Sequence, residues 1–137
     1  MVGTKLILME NITIEELCKK LKGKIDAACD IKEFYIGKAK DVNKRGKKHK
    51  EDDDLPYTLT IAHGKENVIK AGEKRLQQLF INDERCLNKQ LGGGPTVDSE
   101  DHLYISYSRC YVKYKTIHDL DNEDFKWNSV YNLVAKQ

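Results

Sequence analysis

A phenol, a guanidinium and an imidazole follow one another at short spacing in Tyr35-Ile36-Gly37-Lys38-Ala39-Lys40-Asp41-Val42-Asn43-Lys44-Arg45-Gly46-Lys47-Lys48-His49-Lys50. Together these groups suit a phosphodiester. Hydrolysis needs a permanent positive charge beside the non-bridging oxygens, where negative charge builds in the transition state, and Arg45 is the candidate to supply it. Tyr35 is the candidate to orient the attacking water or to contact the phosphate. A phenol has an ordinary pKa of about 10, so acting as a base would require Arg45, Lys38 or a metal to lower it. His49 belongs to the residue type that titrates near neutrality and is the candidate to relay protons or bind phosphate.

The elements that must hold these groups can be read around them. Phe34, Tyr35 and Ile36 have strand-forming side chains, and Gly37 permits backbone conformations closed to bulkier residues. Asp41 is a good N-cap for a helix over 42–50, on which Arg45 and His49, four residues apart, share a face. Between Lys38 and Lys50 seven Lys or Arg face one acid, Asp41, before Glu51-Asp52-Asp53-Asp54 reverses the sign. A charge run of this kind is a solvated helix followed by an acidic loop, or, beside Tyr35, a phosphate-contacting face to which Lys38, Lys44 and Lys48 contribute.

In these residues the chain resembles the GIY-YIG nuclease family. Tyr35-Ile36-Gly37 matches the family's second motif, Arg45 stands at the family's ten-residue offset from that tyrosine, and His49 falls where the family has His or Tyr. Glu73, in Ala71-Gly72-Glu73-Lys74-Arg75, resembles the metal-binding glutamate of a later helix, and Asn88 resembles the asparagine that follows it. The resemblance covers roughly residues 24–92. It implies a small mixed sheet flanked by helices, one divalent ion (Mg²⁺ or Mn²⁺) held by Glu73, and a nucleic-acid substrate, DNA ahead of RNA. Where the family has Gly-Ile-Tyr, about ten residues before Tyr35, this chain has Gly23-Lys24-Ile25-Asp26, and no tyrosine precedes Tyr35. Lys24 by position, and Tyr57 and His63 by chemistry, are the candidates to replace the missing phenol.

Composition sets the outer limits. The 137 residues, 39% hydrophobic and 34% charged, describe a single globular domain with a highly solvated surface, and helices interleaved with a few short strands make it α/β (α+β). A net charge of +2 does not by itself point to nucleic acid. No apolar run reaches membrane-spanning length, and the apolar stretch at the N-terminus is short for a signal peptide. Cys18, Cys29, Cys86 and Cys110 are too widely separated for a paired zinc motif, so a reduced intracellular protein of cytoplasm or nucleus is expected.

Along the rest of the chain, residues 5–9 read as a short strand. Thr13-Ile14-Glu15-Glu16 is a capping box opening a helix with Ile14, Leu17, Cys18 and Leu21 on one side, which Gly23 can end. Residues 24–31 fit either a strand or a continued helix. Tyr57–His63 alternates as a strand, and Lys65–Ile81 is the longest helix, its Gly72 suggesting a close approach. Gly92-Gly93-Gly94-Pro95 is a break. His102–Tyr107 is a strand that Cys110–Tyr114 either continues or pairs with, and Tyr104, Tyr107, Tyr111 and Tyr114 offer stacking or packing surface. Asn122–Gln137 reads as a terminal helix completing a C-terminal strand-and-helix unit over 102–137. Two rivals to a nuclease stay open: a degenerate GIY-YIG-like module that binds nucleic acid without cutting, and a protein-interaction domain using Trp127 and that helix.

Overall fold

A computed structural model of the chain describes residues 9–28, 30–88, 101–110, 125, 127 and 129–135. They form an α+β domain of three helices and one mixed five-stranded sheet. The elements run β1 (Asn11–Thr13), α1 (Ile14–Ala27), β2 (Ile31–Ala39), α2 (Val42–Asp52), β3 (Tyr57–Gly64), α3 (Glu66–Phe80), β4 (His102–Arg109) and β5 (Tyr131–Val134). No helix among these residues is long and apolar enough to cross a membrane.

Local chemistry starts the helices as expected. Thr13 Oγ1 accepts from the Glu16 amide while the Glu16 carboxylate accepts from the Thr13 amide, a complete capping box. Asp41 caps α2 by accepting from the Lys44 amide at 3.1 Å. Gly23, however, does not end α1. Ile25, fully buried, extends the stripe of Leu17, Cys18 and Leu21 by one more turn, and its burial outweighs glycine's cost of about 1 kcal/mol. The ambiguous segment thus divides, helix to Ala27 and strand from Ile31.

The sheet order is β1-β5-β3-β4-β2. Because β4 is antiparallel to both β2 and β3, those two strands run parallel, and α2 is the crossover between them. Adjacent residues of β4 show which helix covers which face: Leu103 packs at Gly72 of α3, while Tyr104 meets His49 of α2. α1 and α3 therefore lie on one face and α2 on the other. The close approach expected at Gly72 is present, since a Cβ there would stand 2.7 Å from Leu133 Cδ2.

The terminal helix expected over 122–137 is corrected: Tyr131–Val134 is the strand β5, parallel to β1 and β3. Tyr131 and Leu133 point inward and Asn132 and Val134 are less enclosed, a period of two that three-stranded pairing enforces over helix propensity. Trp127, expected as an outward contact, is partly enclosed and aims its indole N–H at the Ile61 carbonyl. Residues 5–8, the glycine break and most of the following loop, and Tyr111–Tyr114 lie outside the described residues.

Candidate functional site

Helix α2 has no buried residue and rests on the sheet by one side, with Gly46 against Thr58 of β3. That docking turns His49 toward β2 and β4. Its ring centroid lies 4.5 Å from that of Tyr35 and 5.6 Å from that of Tyr104, and the two tyrosine rings are 6.4 Å apart. His49 Nε2 is 2.7 Å from the Tyr104 hydroxyl and Nδ1 is 2.7 Å from Asp53 Oδ2. Tyr104 is fully buried, whereas Tyr35 is only partly enclosed. Among the described residues the Tyr35 hydroxyl has no hydrogen-bond partner, so it is the phenol of the pair left available to a ligand.

The Tyr104 ring lies directly over Gly37, its partner in the β2–β4 register. A Cβ on Gly37 would stand 2.6 Å from the Tyr104 hydroxyl oxygen. The glycine is needed for this close approach. It does not close the strand, which continues to Ala39 before the turn into α2.

Two charges bear on Tyr35. Burial raises its pKa above the ordinary phenol value, the Glu73 carboxylate raises it further, and the Arg45 guanidinium works against both. Arg45 and Glu73 are thus both within electrostatic reach of the same phenol, although they come from helices on opposite faces. The condition set for Tyr35 to act as a base is not met by the described residues: Arg45 lowers its pKa, but burial and Glu73 outweigh it, so the phenol keeps its proton at neutral pH.

Glu73 is 5% exposed, on the face of α3 that packs against the sheet. No cluster of three His, Cys, Asp or Glu side chains suited to a metal occurs among the described residues. A single carboxylate fits Mg²⁺ or Mn²⁺ only as one ligand of a shell completed by water and phosphate oxygens. It does not fit a protein-enclosed site.

The outer edge of β2 is closed by residues 85–88. Phe34 N–H donates to the Arg85 carbonyl and Leu87 N–H to the Phe34 carbonyl, at 2.9 and 2.8 Å. Asn88 then supplies the next rung with its side chain: Oδ1 accepts from Ile36 N–H at 2.8 Å and Nδ2 donates to the Ile36 carbonyl at 2.9 Å. Gln77 Nε2 donates to the same carbonyl at 3.1 Å. Asn88, expected to bond a site carbonyl or a phosphate, spends both ends of its amide on Ile36 and so holds the strand of Tyr35 in place.

The remaining sequence candidates are scattered. Lys44, Arg45 and Lys48 are exposed on α2 and make an open cationic side. Lys38 is 8% exposed and shares the β2 face of Phe34 and Ile36, so it is not part of that open side. None of the three replacements expected for the missing phenol stands with Tyr35. Lys24 is exposed on α1, whose main packing partners are α3 and β1. Tyr57 stacks on Tyr107 at 5.2 Å, in the register row of Phe34 and therefore on the opposite face from Tyr35. His63 belongs to another group, with His102 at 5.0 Å between rings and Asp101 at 3.7 Å.

Sequence reasoning missed the part played by Tyr104, marked only as one of a run of strand tyrosines. The signal was available in Leu103-Tyr104-Ile105, a strand carrying a phenol between two aliphatics, but only the register with β2 gives it meaning. Comparison with known proteins adds no relative: no protein-family model, no curated protein and no solved structure matches the chain.

Proposed function

We propose that this protein is a metal-dependent endonuclease of the GIY-YIG type, hydrolysing nucleic-acid phosphodiesters, DNA ahead of RNA. The observation that carries the reading is the packing of His49 against Tyr35 with Tyr104 beneath both. Ile25, ten residues upstream of Tyr35, where the family has its first tyrosine, lies on α1. β4 is the antiparallel partner that β2 has, and Tyr104 answers for the missing phenol from downstream. The second reading is a degenerate module that binds nucleic acid without cutting, because Lys24 and Ile25 stand on α1 where the family has its first motif.

In this reading the substrate phosphate lies against the α2 surface between Tyr35 and Arg45. Tyr35, neutral, hydrogen-bonds the attacking water and keeps it in line with phosphorus. Arg45 stabilises the charge that accumulates on the non-bridging oxygens. Glu73 would hold the divalent ion, and the ion would supply positive charge to the phosphate, with water and phosphate oxygens as its other ligands. Lys44 and Lys48 draw in the polyanion. If about four phosphates are neutralised, the log–log slope of affinity against salt is roughly −3 to −4.

The test is incubation of purified protein with single- and double-stranded DNA and RNA, with Mg²⁺, Mn²⁺ or chelator. Metal-dependent nicking abolished by Glu73→Ala and lowered about a hundred- to a thousand-fold by Arg45→Ala supports the reading. Nicking that survives Glu73→Ala at the wild-type rate sinks it. Salt-sensitive binding without cleavage of any substrate would return the binding module to first place.

A further inference from the structure

We propose that Asp53 is a positioning residue that fixes the tautomer of His49, making the imidazole a rigid support for Tyr35 rather than a carrier of protons. An ionised carboxylate can only accept hydrogen bonds, so the ring nitrogen 2.7 Å from Asp53 Oδ2, Nδ1, carries the hydrogen. In the neutral ring this leaves Nε2 bare, and Nε2 accepts from the Tyr104 hydroxyl at 2.7 Å. Both nitrogens are then committed inside the protein, and neither is left for a substrate proton.

The backbone enforces the arrangement. Asp53 N–H donates to the His49 carbonyl at 2.9 Å, which ends α2 and brings the carboxylate onto the same side of the turn as the imidazole. Of the acidic run Glu51-Asp52-Asp53-Asp54, Asp53 alone meets His49 in this way. The ionisable groups around the ring are Asp53 at the end of α2, Arg45 one turn earlier, Tyr35 on β2 and Tyr104 on β4. Tyr104 is 0% exposed, so its hydroxyl meets Nε2 inside the protein and away from water, and with Nδ1–H turned to Asp53 that hydroxyl is the donor to Nε2. Held from both ends, the ring stays against Tyr35 at 4.5 Å between centroids and fixes the direction of that phenol.

The inference rests on the nuclease reading only for its kinetic consequence; the tautomer is decided separately. In the 137-residue chain, long-range nitrogen–proton NMR at mildly alkaline pH, with His49 assigned by the loss of its signals in His49→Gln, reads the two ring nitrogens directly. The expected result is a protonated Nδ1 and an unprotonated Nε2. Asp53→Ala and Asp53→Asn should shift the ring toward Nε2–H or a mixture, since neither keeps an acceptor-only group at Nδ1, and Asp53→Glu should restore part of the original state. Nicking by Asp53→Asn should fall about tenfold to a hundredfold, short of the ~10⁴-fold cost of the same change at a buried protease aspartate. An Nε2–H ring in the wild-type protein, or a tautomer unmoved by both substitutions, overturns the proposal. A shifted tautomer with an unchanged nicking rate overturns the positioning role. Absence of nicking by wild type counts against the nuclease reading and leaves the NMR result to decide this one.

Discussion

Replacing Gly37 by alanine should damage the site from within. The added methyl group would stand 2.6, 2.7 and 2.9 Å from Oη, Cζ and Cε1 of Tyr104. An ordinary contact begins at 3.4 Å, so the ring must withdraw by 3.4 − 2.6 = 0.8 Å. It has little room to do so, being fully buried and tied to His49. Overpacking of a core costs about 1–3 kcal/mol, and the stiffer unfolded chain returns about 0.4–1 kcal/mol, leaving a net loss centred on about 1 kcal/mol and reaching about 2.6 kcal/mol. Misplacement of a catalytic group by about 1 Å can cost on the order of a hundredfold in rate, so a shift passed through His49 to Tyr35 should cost about tenfold to a hundredfold. Urea denaturation and single-turnover nicking read the two effects. Gly23→Ala is the control, because nothing lies within 4 Å of the corresponding point on α1, and it should stabilise by about 0.5–1 kcal/mol. Gly37→Ala matching that control in stability and wild type in rate would refute the contact between Gly37 and Tyr104.

Asn88→Ala removes the side-chain rung from Ile36, strands a buried N–H and should cost about 1–3 kcal/mol in urea denaturation. Arg109→Ala should cost about 3 kcal/mol by leaving Asp30, its side chain 3% exposed, without the guanidinium 2.7 Å away. Arg75→Ala, which breaks the exposed pair with Glu15, should leave stability unchanged within error. Burial, with a smaller push from Glu15, raises the Cys18 thiol from 9.0 to about 11. Because the folded value is the higher one, the stabilisation is complete below pH 9 and is lost as pH climbs toward 11. Denaturation curves should show about 1–2 kcal/mol disappearing across that interval, and Cys18→Ala should flatten the loss.

What the sequence disclosed was chiefly local. The Thr13–Glu16 box, the Asp41 cap and the Arg45–His49 spacing depend on neighbours within one turn, and each is found as read. β3 and α3 carried clear periodicities and are displaced by no more than a residue at either end. The failures share a cause in distant pairing. Gly23 looked like a stop because the burial of Ile25 against the rest of the core was invisible. Residues 131–134 looked helical until β1 and β3 flanked them. Tyr104 could not be assigned because its meaning lies in a register across 67 positions, Gly37 to Tyr104. Asp53 was hidden among four acids, only one of which reaches the imidazole.

The nuclease proposal makes Tyr35, packed against His49 and Tyr104 and within electrostatic reach of Arg45 and Glu73, the phenol at which a phosphodiester is cut. Single-turnover nicking rates for Tyr35→Phe, Lys24→Ala, Tyr57→Phe and His63→Gln, measured on one DNA substrate with saturating Mn²⁺, test it most directly. Tyr35→Phe should lose about a hundredfold or more, the scale of a positioned proton-handling group, while the other three keep the wild-type rate. A Tyr35→Phe protein that cuts normally, or a Lys24→Ala protein that does not, would contradict the account.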